Sequence, residues 1–163
     1  MAQIELMQEK LLYMEENNYT FPQANDLEKV ITVMSITRPE LIRDRIHIAH
    51  ILGDVSDRQV TYYVSACVYL GFVTSKREFT EYGLKVLSMT RSEKVVEIAR
   101  RIISDPVFGY VFLMQRLIGA KLERSDIIDL MKNHTLLTDE LYKRRAQTVV
   151  KWVEWLDENF PNI

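Results

Sequence analysis

With 163 residues, 47% of them apolar and 27% charged, the chain has the composition of a folded protein and the length of one ordinary domain or two small ones on a shared core. Five glycines and four prolines leave little room for long loops and favour helices. The net charge of −2 excludes a uniformly basic nucleic-acid binder, but residues 1–30 hold six acids against two lysines, so the remainder carries +2 and has room for a basic face.

In chain order, Ala2–Asn17 has Ile4, Met7, Leu11 and Met14 at helical spacing and predicts an amphipathic helix. Asp26 is placed to cap a second helix carrying Leu27, Val30, Ile31 and Met34. Pro39–Leu52 repeats apolar residues at Leu41, Ile42, Ile46, Ala49 and Ile51, which predicts a third helix stopped by Gly53. Ser56-Asp57-Arg58-Gln59 is a capping box and predicts a helix over Asp57–Leu70. Val60, Val64 and Cys67, with Tyr63 and Leu70, form its inner face; Arg58, Thr61, Tyr62, Ser65 and Tyr69 form the opposite one. Phe72-Val73-Thr74 and Glu78-Phe79-Thr80, around Ser75-Lys76-Arg77, predict a short hairpin with a basic tip. Thr80 then caps another helix.

Helix, helix, helix, hairpin, helix is the order of a winged helix-turn-helix. The second half is helical again. Ser92–Ile103 presents Val95, Ile98, Ala99 and Ile102 on one face. Asp105-Pro106 opens a helix to Ile118 that is apolar nearly all round, which predicts a place at the centre of the core or in a dimer interface. Ser125 is expected to cap Asp126–Lys132, and Thr138 a last helix reaching about Glu158, with Tyr142, Ala146, Val149, Val150, Val153, Leu156 and Phe160 as its stripe. The expected fold is mainly α: an N-terminal helix and connection (1–25), a winged helix-turn-helix (26–90) and a second helix-turn-helix-like helical unit (91–163) on a shared core.

Few residues are arranged for chemistry. His47 and His50 share a helical flank without the further ligands that zinc needs, and His134 falls in a loop, so no metal or cofactor is expected. Cys67 lies on an inner helix face and is alone, which excludes an internal disulfide and fits a reducing, cytoplasmic compartment. No nucleophile elbow, phosphate-cradling glycine loop or dinucleotide fingerprint is present. The acid-x-Lys triplet of many magnesium nucleases is absent, because the residue two before each lysine is never acidic. The expectation is a protein without catalytic activity. No apolar run approaches the roughly 20 residues that cross a bilayer, and the first 18 residues lack the basic start and apolar block of a signal peptide.

Two polar surfaces remain. Arg58, Thr61, Tyr62 and Ser65 face outward near a capped helix start, where base edges and phosphates are met, and Lys76 and Arg77 occupy the hairpin tip. Lys143, Arg144, Gln147, Thr148 and Lys151 make the second surface, on the last helix. Each reads as a contact to double-stranded DNA or, alternatively, as a solvated face. Arg145 projects nearer the apolar side and is a candidate to hold the helix in place. Trp152 and Trp155 read as core or interface residues, since duplex DNA hides its base faces.

The strings Asp57-Arg58-Gln59-Val60-Thr61-Tyr62-Tyr63, Tyr69-Leu70-Gly71-Phe72-Val73, Phe79-Thr80-Glu81-Tyr82-Gly83 and Arg144-Arg145-Ala146-Gln147-Thr148-Val149-Val150-Lys151-Trp152 resemble winged-helix domains found within or beside prokaryotic type II restriction enzymes. The resemblance spans most of residues 26–157. It implies DNA recognition, in some members next to a nuclease domain, and partners such as a second copy, a nuclease or a methyltransferase. The chain departs from that group in having no nuclease motif. A dimeric transcription regulator and a protein-interaction module without a nucleic-acid role are the competing readings.

Overall fold

The computed structural model describes residues 21–162, and the amphipathic stretch Ala2–Asn17 lies outside them. The described chain is mainly helical and forms two compact units, Pro22–Ile102 and, with Phe21, residues 103–162.

The first unit begins with α1 (Leu27–Val33), where the Asp26 carboxylate accepts the Glu28 amide at 2.9 Å. A single 3-10 turn, Pro39–Arg43, follows, and α2 covers only Arg45–Ile51. The continuous helix expected over Pro39–Leu52 is therefore broken in two. The break is Asp44: its backbone is extended, with φ −85° and ψ 94°, and its carboxylate accepts the His47 amide at 3.0 Å, starting a fresh helix. As a result Ile46, expected on the apolar side, is 85% exposed.

Helix α3 (Asp57–Tyr69) starts where its cap predicts, the Ser56 hydroxyl accepting the Gln59 amide at 3.3 Å. Val60, Tyr63, Val64, Cys67 and Leu70 are all buried, and α1 and α2 both pack on this helix. Each fully buried aliphatic side chain of this set contributes on the order of 1.5–3 kcal/mol. Leu70 ends the helix and Gly71, at φ +83°, reverses the chain.

The expected hairpin is reduced to one antiparallel bridge, Val73 with Phe79, and no strand occurs among the described residues. On its inner side Phe72 already accepts the Thr80 amide at 2.9 Å; on its outer side Thr74 accepts the Arg77 amide in a tight turn, also at 2.9 Å. Thr74 also donates its amide to the Glu78 carbonyl at 2.7 Å, so the turn closes directly beyond the bridge and leaves no length for a second pair.

Helix α4 (Glu81–Leu87) is capped by Thr80, whose Oγ1 accepts the Gly83 amide at 2.9 Å and donates to the Gly71 and Phe72 carbonyls. Helix α5 (Arg91–Ile103) opens on a reciprocal capping box: the Glu93 carboxylate accepts the Thr90 amide at 2.8 Å, and Thr90 Oγ1 accepts the Glu93 amide at 3.4 Å. Its buried face carries Lys94, Ile98, Ala99 and Ile102, while the expected Val95 is only half-buried.

In the second unit, α6 (Phe108–Ile118) starts where Asp105 Oδ1 accepts the Val107 amide at 2.9 Å and the Phe108 amide at 3.3 Å. Helix α7 spans Arg124–Lys132, two residues earlier than a Ser125 cap would set, with Glu123 at the cap and no side-chain hydrogen bond there. The long α8, Asp139–Asn159, is capped by Thr138 as expected. Both α6 and α7 pack on α8. The core is an aromatic stack: Phe108 lies 5.1 Å from Phe21 on one side and 4.6 Å from Trp152 on the other. Trp155 is buried as well. No helix among the described residues is long and apolar enough to cross a membrane.

Candidate nucleic-acid interface

In the first unit, α3 projects Arg58 into solvent one position after its first residue, with Thr61, Tyr62 and Ser65 half-buried on the same side. Arg58 Nε donates to the Tyr62 hydroxyl, and its guanidinium carbon lies 5.5 Å from the Tyr62 ring centroid. The spacing of four residues on a helix brings the two together. The tyrosine thus holds the guanidinium beside its ring on an exposed side chain.

Arg45, at the start of α2, completes this face. Its Nη2 donates to the Asp57 carbonyl at 3.2 Å and to the Thr61 hydroxyl at 2.9 Å. The fresh helix start at Asp44 is what brings Arg45 there, so the residue was hidden behind the expectation of one longer helix. Arg77 adds a third guanidinium. Burial lowers its affinity for a proton, and the nearby Arg45 charge lowers it further. Arg77 adopts a left-handed backbone, with φ +60°, at the tip of the turn after the bridge, and its carbonyl accepts Arg43 Nε at 3.4 Å. Lys76 is exposed beside it.

Among the described residues Arg45, Arg58 and Arg77 form no ion pair, whereas Arg43 meets the Glu78 carboxylate at 2.6 Å. Arg43 and Arg77 also line an open cleft of about 260 Å³ beside Pro39, Ile42 and Phe79. Glu40 and Glu78 line that cleft as well, so its charge is mixed; the nearby Arg45 and Arg77, neither in an ion pair among the described residues, are the pair that favours an anion.

The second surface is more mixed. Lys143 and Arg144 are exposed on α8, and so is Lys151. Lys151 Nζ sits 3.5 Å from Glu154, which also meets Lys121 at 3.8 Å. Gln147 Oε1 accepts from Arg124 of α7, another basic residue that sequence periodicity did not single out. Thr148 does not belong to this surface. It is 1% exposed, because its position on α8 falls between Arg145 and Trp152 on the inward side. Arg145 is buried too and donates Nη1–H to the Phe21 carbonyl, which ties α8 to the backbone at Phe21.

Other reactive groups are occupied or sealed. His50 Nδ1 lies 3.1 Å from Asp54, and no group of three or more His, Cys, Asp or Glu side chains suited to a metal occurs among the described residues. Burial pushes the Cys67 thiol up to about 12, so it stays protonated at neutral pH and is a poor nucleophile.

No curated protein matches the chain, and neither does any solved structure. Both basic faces, from Arg45 to Lys151, fall within residues 29–160, which match the family described as "Domain of unknown function (DUF7226)"; the chain belongs to that family.

Proposed function

We propose that this protein binds double-stranded DNA without catalysing a reaction on it, and that residues 26–88 act as a winged helix-turn-helix. In this reading α2 and α3 are the helix-turn-helix, α3 enters the major groove, and the turn after the Val73–Phe79 bridge is a minimal wing. The observation that carries it is the set of three guanidiniums at α3 and the turn, Arg45 bonded to Thr61, Arg58 to Tyr62 and Arg77 near Arg45, none of them in an ion pair among the described residues. Arg58 is placed to read a guanine edge. Arg45, Lys76 and Arg77 are placed for phosphates, which fix register and supply affinity. Lys143, Arg144, Gln147 and Lys151 offer a second contact. The resemblance to domains beside restriction enzymes favours a recognition component of a restriction-modification or related prokaryotic or phage system, with a nuclease or methyltransferase as partner.

The test is a binding titration against a site selected from random duplexes and against random DNA. The expected slope of log affinity against log salt is about −4 to −5, for roughly four to six neutralised phosphates. Arg58→Ala is expected to weaken the selected site by about 1–3 kcal/mol and random DNA much less. The double change Lys76→Ala and Arg77→Ala is expected to weaken both duplexes alike and reduce the slope by about two. Absence of binding to any duplex at low salt would falsify the proposal. Cleavage of plasmid DNA in magnesium that follows the protein through purification would remove its non-catalytic part.

A further inference from the structure

The second unit carries an exposed surface that the DNA-binding proposal does not use. Helix α6 buries Phe108, Gly109, Val111 and Phe112, so one face is core, as an almost wholly apolar helix requires. The other face is not covered. Tyr110 is 49% exposed, Leu113 55%, Leu117 82% and Ile118 51%. Spacings of three and four residues place Tyr110, Leu113 and Leu117 in one stripe about 10 Å long.

The stripe has no charge. Arg116 is the helix's one charged residue, and it is turned away. Its Nε donates to Asp157 at 3.0 Å and its Nη2 to the Phe160 carbonyl at 2.8 Å, both at the end of α8, while its guanidinium lies 5.0 Å from the Phe112 ring centroid. The side chain best able to keep this helix wet is thereby held against the unit's own body.

We propose that this face is the contact between two copies of the chain, packed α6 to α6 about a twofold axis. An antiparallel pair centred near Leu113 and Met114 sets Leu117 of each copy beside Tyr110 of the other and brings the two Leu113 side chains together at the axis, so the stripe is complementary to itself. A surface without acids or bases offers nothing to select a charged foreign partner, and charge depletion is the mark of an interface centre. The exposed parts of the four side chains present on the order of 400 Å² of apolar surface, a patch of the size that is often functional. Two such patches, extended by Met114 and Gly119-Ala120, bury about 1,000 Å², the lower bound for a specific interface. That area is well below the roughly 2,000–5,000 Å² of obligate dimers, so the dimer is expected to be reversible. The helix end is open: Gly119 takes φ +68°, and a Cβ added there would meet nothing within 4 Å, so the partner helix is not blocked.

The experiment is sedimentation of the full chain without DNA over roughly 1–200 μM, which keeps it independent of the DNA-binding proposal. The expected result is a concentration-dependent shift from monomer to dimer. Leu117→Glu is expected to raise the dissociation constant at least tenfold while leaving the melting temperature of the monomer unchanged, since Leu117 is 82% exposed. Leu113→Cys, at the twofold axis, is expected to form an oxidised disulfide dimer, with the buried Cys67 inert. A monomer throughout the range overturns the proposal and assigns the stripe to another occupant, the N-terminal segment or a foreign protein. A dimer that survives Leu117→Glu overturns it equally, because the contact then lies elsewhere.

Discussion

Arg45 of α2 donates to the hydroxyl of Thr61 in α3 at 2.9 Å, so a residue outside the proposed recognition helix is oriented by one inside it. The same guanidinium spans to the Asp57 carbonyl at 3.2 Å and faces Arg77. Thr61→Val removes the oxygen and keeps the volume. It is expected to weaken DNA binding a few-fold, with the salt slope unchanged, since the charge stays but its position loosens. Arg45→Ala removes the charge and is expected to lower the slope by about one. Anisotropy titrations at three or more salt concentrations separate the two effects. Identical slopes for parent and Arg45→Ala would take Arg45 out of the phosphate contacts.

Lys94 is a buried residue of the first unit whose amine reaches toward the surface at Ser35. Its Nζ donates to Ser35 Oγ at 3.2 Å, and Ser35 in turn donates to the Ile31 carbonyl at 2.7 Å. Burial holds the folded pKa below the usual lysine value of 10.5. Below the folded pKa the amine is charged in both folded and unfolded chains, and the cost of desolvating the charge is fully present. Above the folded pKa the folded chain has released the proton while the unfolded chain keeps it until about 10.5, so this site's stability contribution rises with pH across that window. Lys94→Met is therefore expected to stabilise the protein slightly at pH 7, and the advantage is expected to shrink toward pH 10. Urea unfolding at pH 7 and pH 10 measures both. A variant less stable than the parent at pH 7 would show that the Ser35 contact outweighs the burial cost.

Gly83, in the first turn of α4, has no room for a side chain. A Cβ there would fall 1.8 Å from the Phe72 carbonyl oxygen, which also accepts from Thr80. Both neighbours are backbone or cap, and neither can swing aside. Gly83→Ala is expected to cost about 2–4 kcal/mol, through displacement of α4 or of the turn after α3. Gly53 is the matched control. It sits at φ +92° with nothing within 4 Å of an added Cβ, so Gly53→Ala carries conformational strain alone, about 1–2 kcal/mol. Equal losses for the two variants in denaturant unfolding would refute the steric account.

Arg145 and Arg144 are adjacent in sequence and opposite in environment. Arg145 is buried against the Phe21 carbonyl, and Arg144 is exposed. Arg145→Ala leaves a cavity and removes the donor from that carbonyl, an expected loss of about 2–4 kcal/mol. Arg144→Ala is expected to change stability by less than about 0.5 kcal/mol. Thermal melts of the two variants decide between this arrangement and one in which both arginines are free to meet a ligand.

The contrast between these neighbours shows how far the sequence could be read. Caps are local chemistry, so Ser56, Thr80 and Thr138 mark their helices correctly. The inner face of α3 was legible for a related reason: thirteen residues give a period enough turns to declare itself. Short elements do not. Asp44 is an ordinary acid inside an apolar repeat, and nothing in its immediate neighbours says that it breaks the helix, so the position of Arg45 went unseen. The phase of a long helix carries its own error. One residue's rotation is about 100°, enough to move Thr148 from an expected outer face to the core and to put Lys94 where Val95 was expected. The pairing of Arg124 with Gln147 lies between helices and leaves no periodic trace.

The hydrogen bond from Arg145 to Phe21 joins residues that are 124 positions apart. During synthesis the chain emerges in order, and every residue of the first unit precedes Arg145. Residues 22–102 can therefore assemble while the place that Phe21 will occupy, against Phe108 and Trp152, has not yet been made. At about 5–20 residues per second the wait lasts roughly 6–25 seconds. For that interval Phe21 has no aromatic stack to enter, and completion of the second unit is timed by the ribosome's arrival at the last helix.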